Sequence, residues 1–243
     1  MRGVRLLDVE PDLGSGLTEE ELDSARRQVV LPAVELARGR WTLDRLATAN
    51  GVRGNVHGFL VLDGLLTMDV TIGARQCSRL VGPGDLLLVE PLESDSLESD
   101  WTWAALTPAN VAVLDLRLAL IGRQWPKLMC AIINRAGRQM RQGMLQQAVS
   151  QLPRVEDRLL ALLWSIADRQ GVVRVDGVWI NLPVTHDVLA RMIGARRPTV
   201  TLGLHALAQR GMLRSTGDGG WLLSFASLDR LVPAFPEAAS EAA

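Results

Sequence analysis

The sequence predicts an α+β chain in three parts: a small antiparallel β jelly roll, one long helix, and a compact helical unit closed by a β-hairpin. Three observations carry this. Short apolar runs punctuated by turn residues fill residues 34–115. A stripe of helical period then runs unbroken from Pro126 to about Ser150. Beyond Pro153, amphipathic helical segments around a glycine turn lead into a glycine-rich hairpin. At 243 residues the chain can bury a sizeable core in one large or two ordinary domains.

Each element has a local cause. After a loose start, Thr18-Glu19-Glu20-Glu21 reads as a capping box opening a helix that runs to about Val30 and is ended by Pro32. Strands are expected at Phe59–Leu62, Leu65–Ile72, Ser78–Val81, Leu86–Val89, Trp101–Leu106 and Val111–Leu116, with turns at Asp63-Gly64 and Gly82-Pro83-Gly84-Asp85. His57, beside a glycine, reads as a turn residue. Trp101 and Trp103 are two apart and share one strand face, as core or interface packing requires. In the long helix, Met129, Ile132, Ile133, Ala136, Met140, Met144 and Ala148 recur at steps that stack them on one side, with Arg135, Arg138 and Arg141 off the stripe. A helix of about 25 residues exceeds the globular average, so Met129, Ile132, Ile133, Ala136, Met140 and Met144 are expected to form a dimer seam. The expected organisation is a β-barrel sensor-like domain over 18–116, a connecting helix over 117–152, a helical domain over 153–231 and a disordered tail over 232–243.

The C-terminal part carries the chemistry. Val155–Gln170 is a strongly apolar helix closed by Gly171, and a hairpin follows across Asp176-Gly177. Thr185 is a good N-cap for a helix that sets Val188, Leu189 and Met192 on one face. Gly194 permits the left-handed backbone of a tight turn, and Pro198 suits the first turn of a second helix. There Val200, Leu204 and Leu207 repeat at helical spacing until Gly211. Residues 212–223 read as strand, loose glycine turn, strand. This is the pattern of a winged helix-turn-helix. Arg196, Arg197, Thr199, Thr201 and His205 fall on the other side, a basic, hydroxyl-bearing helix start suited to the DNA major groove. With Thr185 they make up the candidate DNA-binding set.

Charge is divided to match. Residues 1–116 hold 10 basic and 18 acidic side chains, a balance of −8, whereas residues 117–243 hold 16 and 9, a balance of +7. Such a division is expected when only the second half meets a polyanion. Cys77 and Cys130 are too few and too far apart for a disulfide framework or a cysteine-built metal site. With three histidines, no phosphate loop and no Gly-x-Ser-x-Gly, no enzyme, cofactor or metal is expected. No membrane span or signal-peptide core is present, and the expected location is the cytoplasm.

A barrel, a long helix and a winged helix in this order resemble the Crp/Fnr family of bacterial transcription regulators, from about residue 20 to 230. Gly194, Arg197, Thr199 and Val200 match the head of that family's recognition helix, and Gly82-Pro83-Gly84-Asp85 its Gly-x-Gly-Asp turn. The resemblance implies a cyclic-nucleotide-binding-like barrel, a homodimer on a palindromic duplex, and RNA polymerase as a further partner. It also implies that Arg197 contacts a base or phosphate and Thr199 a phosphate. Two departures matter. Pro198 and Leu202 stand where the family often has Glu and a second Arg, so a different target site is expected and Arg196 is a candidate for the missing base contact. Residues 86–100 contain no Arg, Lys or Gly and instead hold Glu90, Glu93, Asp95, Glu98 and Asp100. Carboxylates this close repel a phosphate, so cyclic AMP is not expected to bind in the family manner. The absence of His between Leu60 and Ile180 argues against haem sensing, and the effector is unassigned. The alternative from another class is a sensor or interaction module whose winged helix binds a protein partner.

Overall fold

The computed structural model describes residues 2–42, 56–88, 99–217 and 219–231. Most of the acidic run (89–98) and the tail (232–243) lie outside the described residues. The chain divides into two compact units, Met1–Gly143 and Met144–Ala243.

The first unit opens with strand β1 (Arg2–Arg5), helix α1 (Leu6–Val9), a 3-10 turn (Pro11–Gly14) and helix α2 (Glu19–Gln28). Strands follow: β2 (Val30–Leu36), β3 (Gly39–Trp41), β4 (Val56–Asp63), β5 (Leu66–Ile72), β6 (Arg75–Val81), β7 (Leu86–Leu88), β8 (Asp100–Ala105) and β9 (Ala109–Asp115). They form two antiparallel sheets, ordered β1-β2-β9-β4-β7 and β3-β8-β5-β6. Helices α3 (Leu116–Gln124) and α4 (Pro126–Ser150) come next, the latter running across the boundary between the units.

Strand β4 explains why the sequence reads as it does. Phe59 and Val61 enter a core shared with Leu66, Trp103, Val111 and Val113 from both sheets. Leu60 and Leu62 enter a second core with Leu6, Leu7, Leu13, Trp125, Leu128 and Ile132 from the helical side. Both faces of this strand are covered, so its apolar run is continuous rather than alternating. Trp103 is 5% exposed and Trp101 45%, so only one of the pair is core.

Several local expectations change. The Thr18 capping box is present, with Thr18 Oγ1 accepting from Glu21 N and Glu21 Oε2 accepting from Thr18 N. The helix it opens, however, ends at Gln28, and Pro32 lies inside β2 opposite Gly3. Pairing of β2 with β1 and β9 on its two sides decides this, not the proline. Residues 2–17 are not loose: Leu6, Leu7 and Leu13 are core, and β1 extends the first sheet. His57 sits in β4 rather than a turn. Leu116 starts α3 instead of ending a strand, because the Asp115 carboxylate caps that helix by accepting from Arg117 N at 2.9 Å.

The Gly82–Asp85 turn is closed by its own aspartate, whose Oδ2 accepts from Gly82 N at 2.9 Å, while Gly84 holds a φ of +82°. Helix α4 is fastened to this turn through two side chains one helical turn apart. Gln139 accepts from Leu86 N at 3.0 Å and donates to Leu86 O at 2.7 Å, replacing a missing strand neighbour. Arg135, 5% exposed, donates to Glu10 at 2.7 Å, to Asp12 at 2.6 Å and to Gly84 O at 3.4 Å.

The second unit comprises α5 (Val155–Gln170), β10 (Val172–Arg174), β11 (Gly177–Asn181), α6 (His186–Met192), α7 (Arg197–Gln209), β12 (Leu213–Ser215), β13 (Gly220–Leu223) and α8 (Ala226–Leu231). Its sheet is ordered β10-β11-β13-β12. Both hairpins and α5 stand where the sequence puts them. Inside, Trp164 Nε1 donates to Ser227 Oγ at 2.9 Å, tying α5 to α8. Among the described residues no helix is long and apolar enough to cross a membrane.

Burial pushes the Glu10 carboxyl above its ordinary value, against the hydrogen bond and charge of Arg135, which pull it down. What Glu10 contributes to stability is therefore complete below the ordinary carboxylate range and is lost as pH rises through its raised value. Arg135→Met strands that carboxylate. It should lower unfolding free energy in denaturant titration by about 3–5 kcal/mol at neutral pH, and by clearly less in mild acid, where Glu10 is protonated.

Candidate nucleic-acid interface

The two helices α6 and α7 are started and stopped by their own residues. Thr185 is extended (φ −81°, ψ 158°) and its Oγ1 accepts from Val188 N at 3.3 Å. Gly194 (φ +65°) follows α6, and the Ala195 N–H reaches back to Ala190 O at 2.9 Å. Gly211 (φ +66°) follows α7, with Gly211 N donating to Ala208 O and Met212 N to Leu207 O, both at 3.0 Å. Both ends carry the left-handed cap that favours glycine.

The orientation of α7 is set by what it buries. Val200, Gly203, Leu204 and Leu207 face inward. A Cβ at Gly203 would sit 3.0 Å from Leu159 Cδ1 and 3.5 Å from Val155 Cγ1, so a glycine lets α7 lie close against α5. The remaining face is left to solvent: Arg196, Arg197, Thr199, Thr201 and His205 are all exposed, as is Thr185 at the head of α6. All six residues expected from the sequence are thus exposed, within one unit.

Its members differ in what they still have to offer. Thr201 Oγ1 donates to Arg197 O at 3.1 Å and lies 2.9 Å from His186 Nδ1. His186 is therefore a brace between the two helices, a link that spans 15 residues and leaves no local trace in the sequence. His205 Nε2 is 3.0 Å from Gln209 Nε2. Among the described residues no acceptor is bonded to the guanidinium of Arg196 or Arg197. Two donor forks thus stand uncommitted at the start of a helix whose first N–H groups also point outward. Leu202, 70% exposed, lies in the same face, although the sequence pattern gives it no contact role.

The wing hairpin follows at once. Thr216 N donates to Gly220 O at 2.9 Å across the turn, and Trp179 Nε1 donates to Thr216 Oγ1 at 3.2 Å over Gly220. A Cβ at Gly220 would meet that indole at 2.3 Å, which is why a glycine stands there. Arg174 stacks 4.7 Å above the centre of Trp179, and Arg214 pairs with Asp176 at 2.7 Å.

The long-helix stripe separates into two. Ile132 is buried at 8% exposure, and Met129 and Ala136 pack on the same core. Ile133, Met140 and Met144 are 64%, 70% and 67% exposed. Cys130 is exposed too, and Gly137 completes a row at residues 130, 133, 137, 140 and 144 that alternates three- and four-residue steps. The row has the spacing of a heptad and lies on the side of α4 turned from its own core.

Residues 157–231 match the Crp-like helix-turn-helix domain family. No curated protein sequence matches the chain. Among solved structures, a CRP-family transcriptional regulator from Thermus thermophilus is similar at 25% identity and a TM-score of 0.59, covering 85% of this chain and 100% of its own. A CooA variant from Carboxydothermus hydrogenoformans is similar at 16% identity and a TM-score of 0.61, covering 79% of this chain and 83% of its own. FixK2 from Bradyrhizobium japonicum is similar at 16% identity and a TM-score of 0.57, covering 79% of this chain and 93% of its own. Residues 157–231 thus belong to the Crp-like helix-turn-helix domain family, and the fold of the whole chain is similar to that of a CRP-family transcriptional regulator.

Proposed function

We propose that the protein is a DNA-binding transcription regulator that acts as a homodimer on a palindromic site. The observation that carries this is the exposed head of α7, where Arg196 and Arg197 stand uncommitted beside Thr199. Phosphate contacts from the helix start and the hydroxyls supply affinity, and the two guanidinium forks supply base readout, each able to grip a guanine edge. Thr185 and His205 flank that contact, while Thr201, held by Arg197 O and His186, keeps the helix head in place. The +7 balance of residues 117–243 adds long-range attraction to the duplex.

Ile133, Met140 and Met144 form the dimer contact in this reading, and pairing of two copies along α4 lets their recognition helices take successive grooves about 34 Å apart. Met129, Ile132 and Ala136 support the seam from inside their own core. Cyclic AMP is not the effector in the family manner, because the segment 86–100 offers carboxylates and no basic side chain.

Three measurements check these points. Affinity for a promoter duplex should fall steeply with salt, and Arg197→Ala should cost about 1–3 kcal/mol and relax one base position in each half-site. Salt-independent binding would contradict the reading. Mild oxidation should join two chains through Cys130, which lies in the seam, and Cys130→Ser should abolish the product while Cys77→Ser leaves it. Calorimetric titration with cyclic AMP should give no saturable heat, and duplex affinity should not change in its presence.

A further inference from the structure

The outward centre of α7 is apolar. At about 100° per residue, Leu202 lies roughly 200° around the helix from the buried Val200, with Pro198 one turn before it and His205 one turn after. Leu202 is 70% exposed. The side chains that could compete for the same place are occupied or point elsewhere. Thr201 gives its hydroxyl to Arg197 O, and His205 is engaged with Gln209. Arg196 and Arg197 stand at the helix head rather than at its middle.

A lone exposed leucine is ordinary on a protein surface, but its position makes this one informative. A helix that enters the major groove head first, guided by two arginines, brings its outward centre against the base edges. A branched hydrocarbon cannot hydrogen-bond there. The only apolar group on the floor of that groove is the 5-methyl of thymine. We infer that Leu202 is a specificity-determining residue that reads a thymine methyl in each half-site. The inference rests on the DNA-binding reading above and adds to it the base class at one position.

The test uses the full chain and a duplex enriched by it from a random pool. Each thymine of that duplex is replaced in turn by deoxyuridine, which removes the methyl and keeps the pairing. For the wild type, one position per half-site should lose about fourfold in affinity on replacement. Leu202→Ala should bind the unmodified duplex more weakly by a similar factor and show no further loss at that position. Leu202 is exposed and outside the core, and unchanged thermal unfolding of Leu202→Ala confirms that the fold is kept. Tolerance of uracil at every position, or an undiminished uracil penalty in Leu202→Ala, would overturn the role of Leu202 alone. Failure to enrich any duplex would overturn the DNA-binding reading and this inference with it.

Discussion

A helix that must bury one side has little freedom over what it shows on the other. In α7, Val200, Leu204 and Leu207 are driven inward by their apolar area, and Gly203 removes the one side chain that would hold α7 away from Leu159. The rotation of the helix is then fixed. Arg196, Arg197 and Leu202 face outward as a consequence, not by any contact of their own. The Thr201–His186 link and the two glycine caps refine that placement, but each presupposes it. A polar residue at Val200 or Leu204 would disturb the interface more than a change in any residue that lines it.

The first unit solves a related problem with polar groups. Helix α4 has to lie against a turn that leaves Leu86 and Gly84 with unmet backbone bonds. Gln139 meets the former with both ends of its amide, and Arg135 reaches Gly84 while pairing Glu10 and Asp12. These contacts fix which side of α4 looks inward. Ile133, Met140 and Met144 are thereby turned out, so a set of apolar residues that would otherwise be core is available to a second copy.

What could be read from the sequence was local. The Thr18 box, the Asp63-Gly64 and Gly82–Asp85 turns, the bounds of α4 and the whole of the helix-turn-helix depend on residues a few positions apart, and each is found where its spacing puts it. What could not be read was settled across the chain. Pro32 looked like a helix stop and is a strand residue because β1 pairs with it, through Gly3, and β9 pairs with the residues that follow. Arg135, off the apolar stripe, is buried beside acids that no local pattern could reveal, since Glu10 and Asp12 lie 125 and 123 residues earlier. The α4 stripe looked single because periodicity reports an apolar surface without saying which neighbour covers it. On α7, the arginines were legible as a basic helix head, whereas Leu202 was legible only as standing where the Crp/Fnr pattern often has an Arg, and its exposure comes from the fold.

The central requirement is geometric: two copies offer their arginine-tipped helices to successive major grooves on one face of a duplex. Hydroxyl-radical footprinting on an enriched duplex tests it most directly. Two protected patches related by a dyad, with centres about 10 base pairs apart, are the expected result. A single protected patch, or two with no symmetry between them, would contradict it.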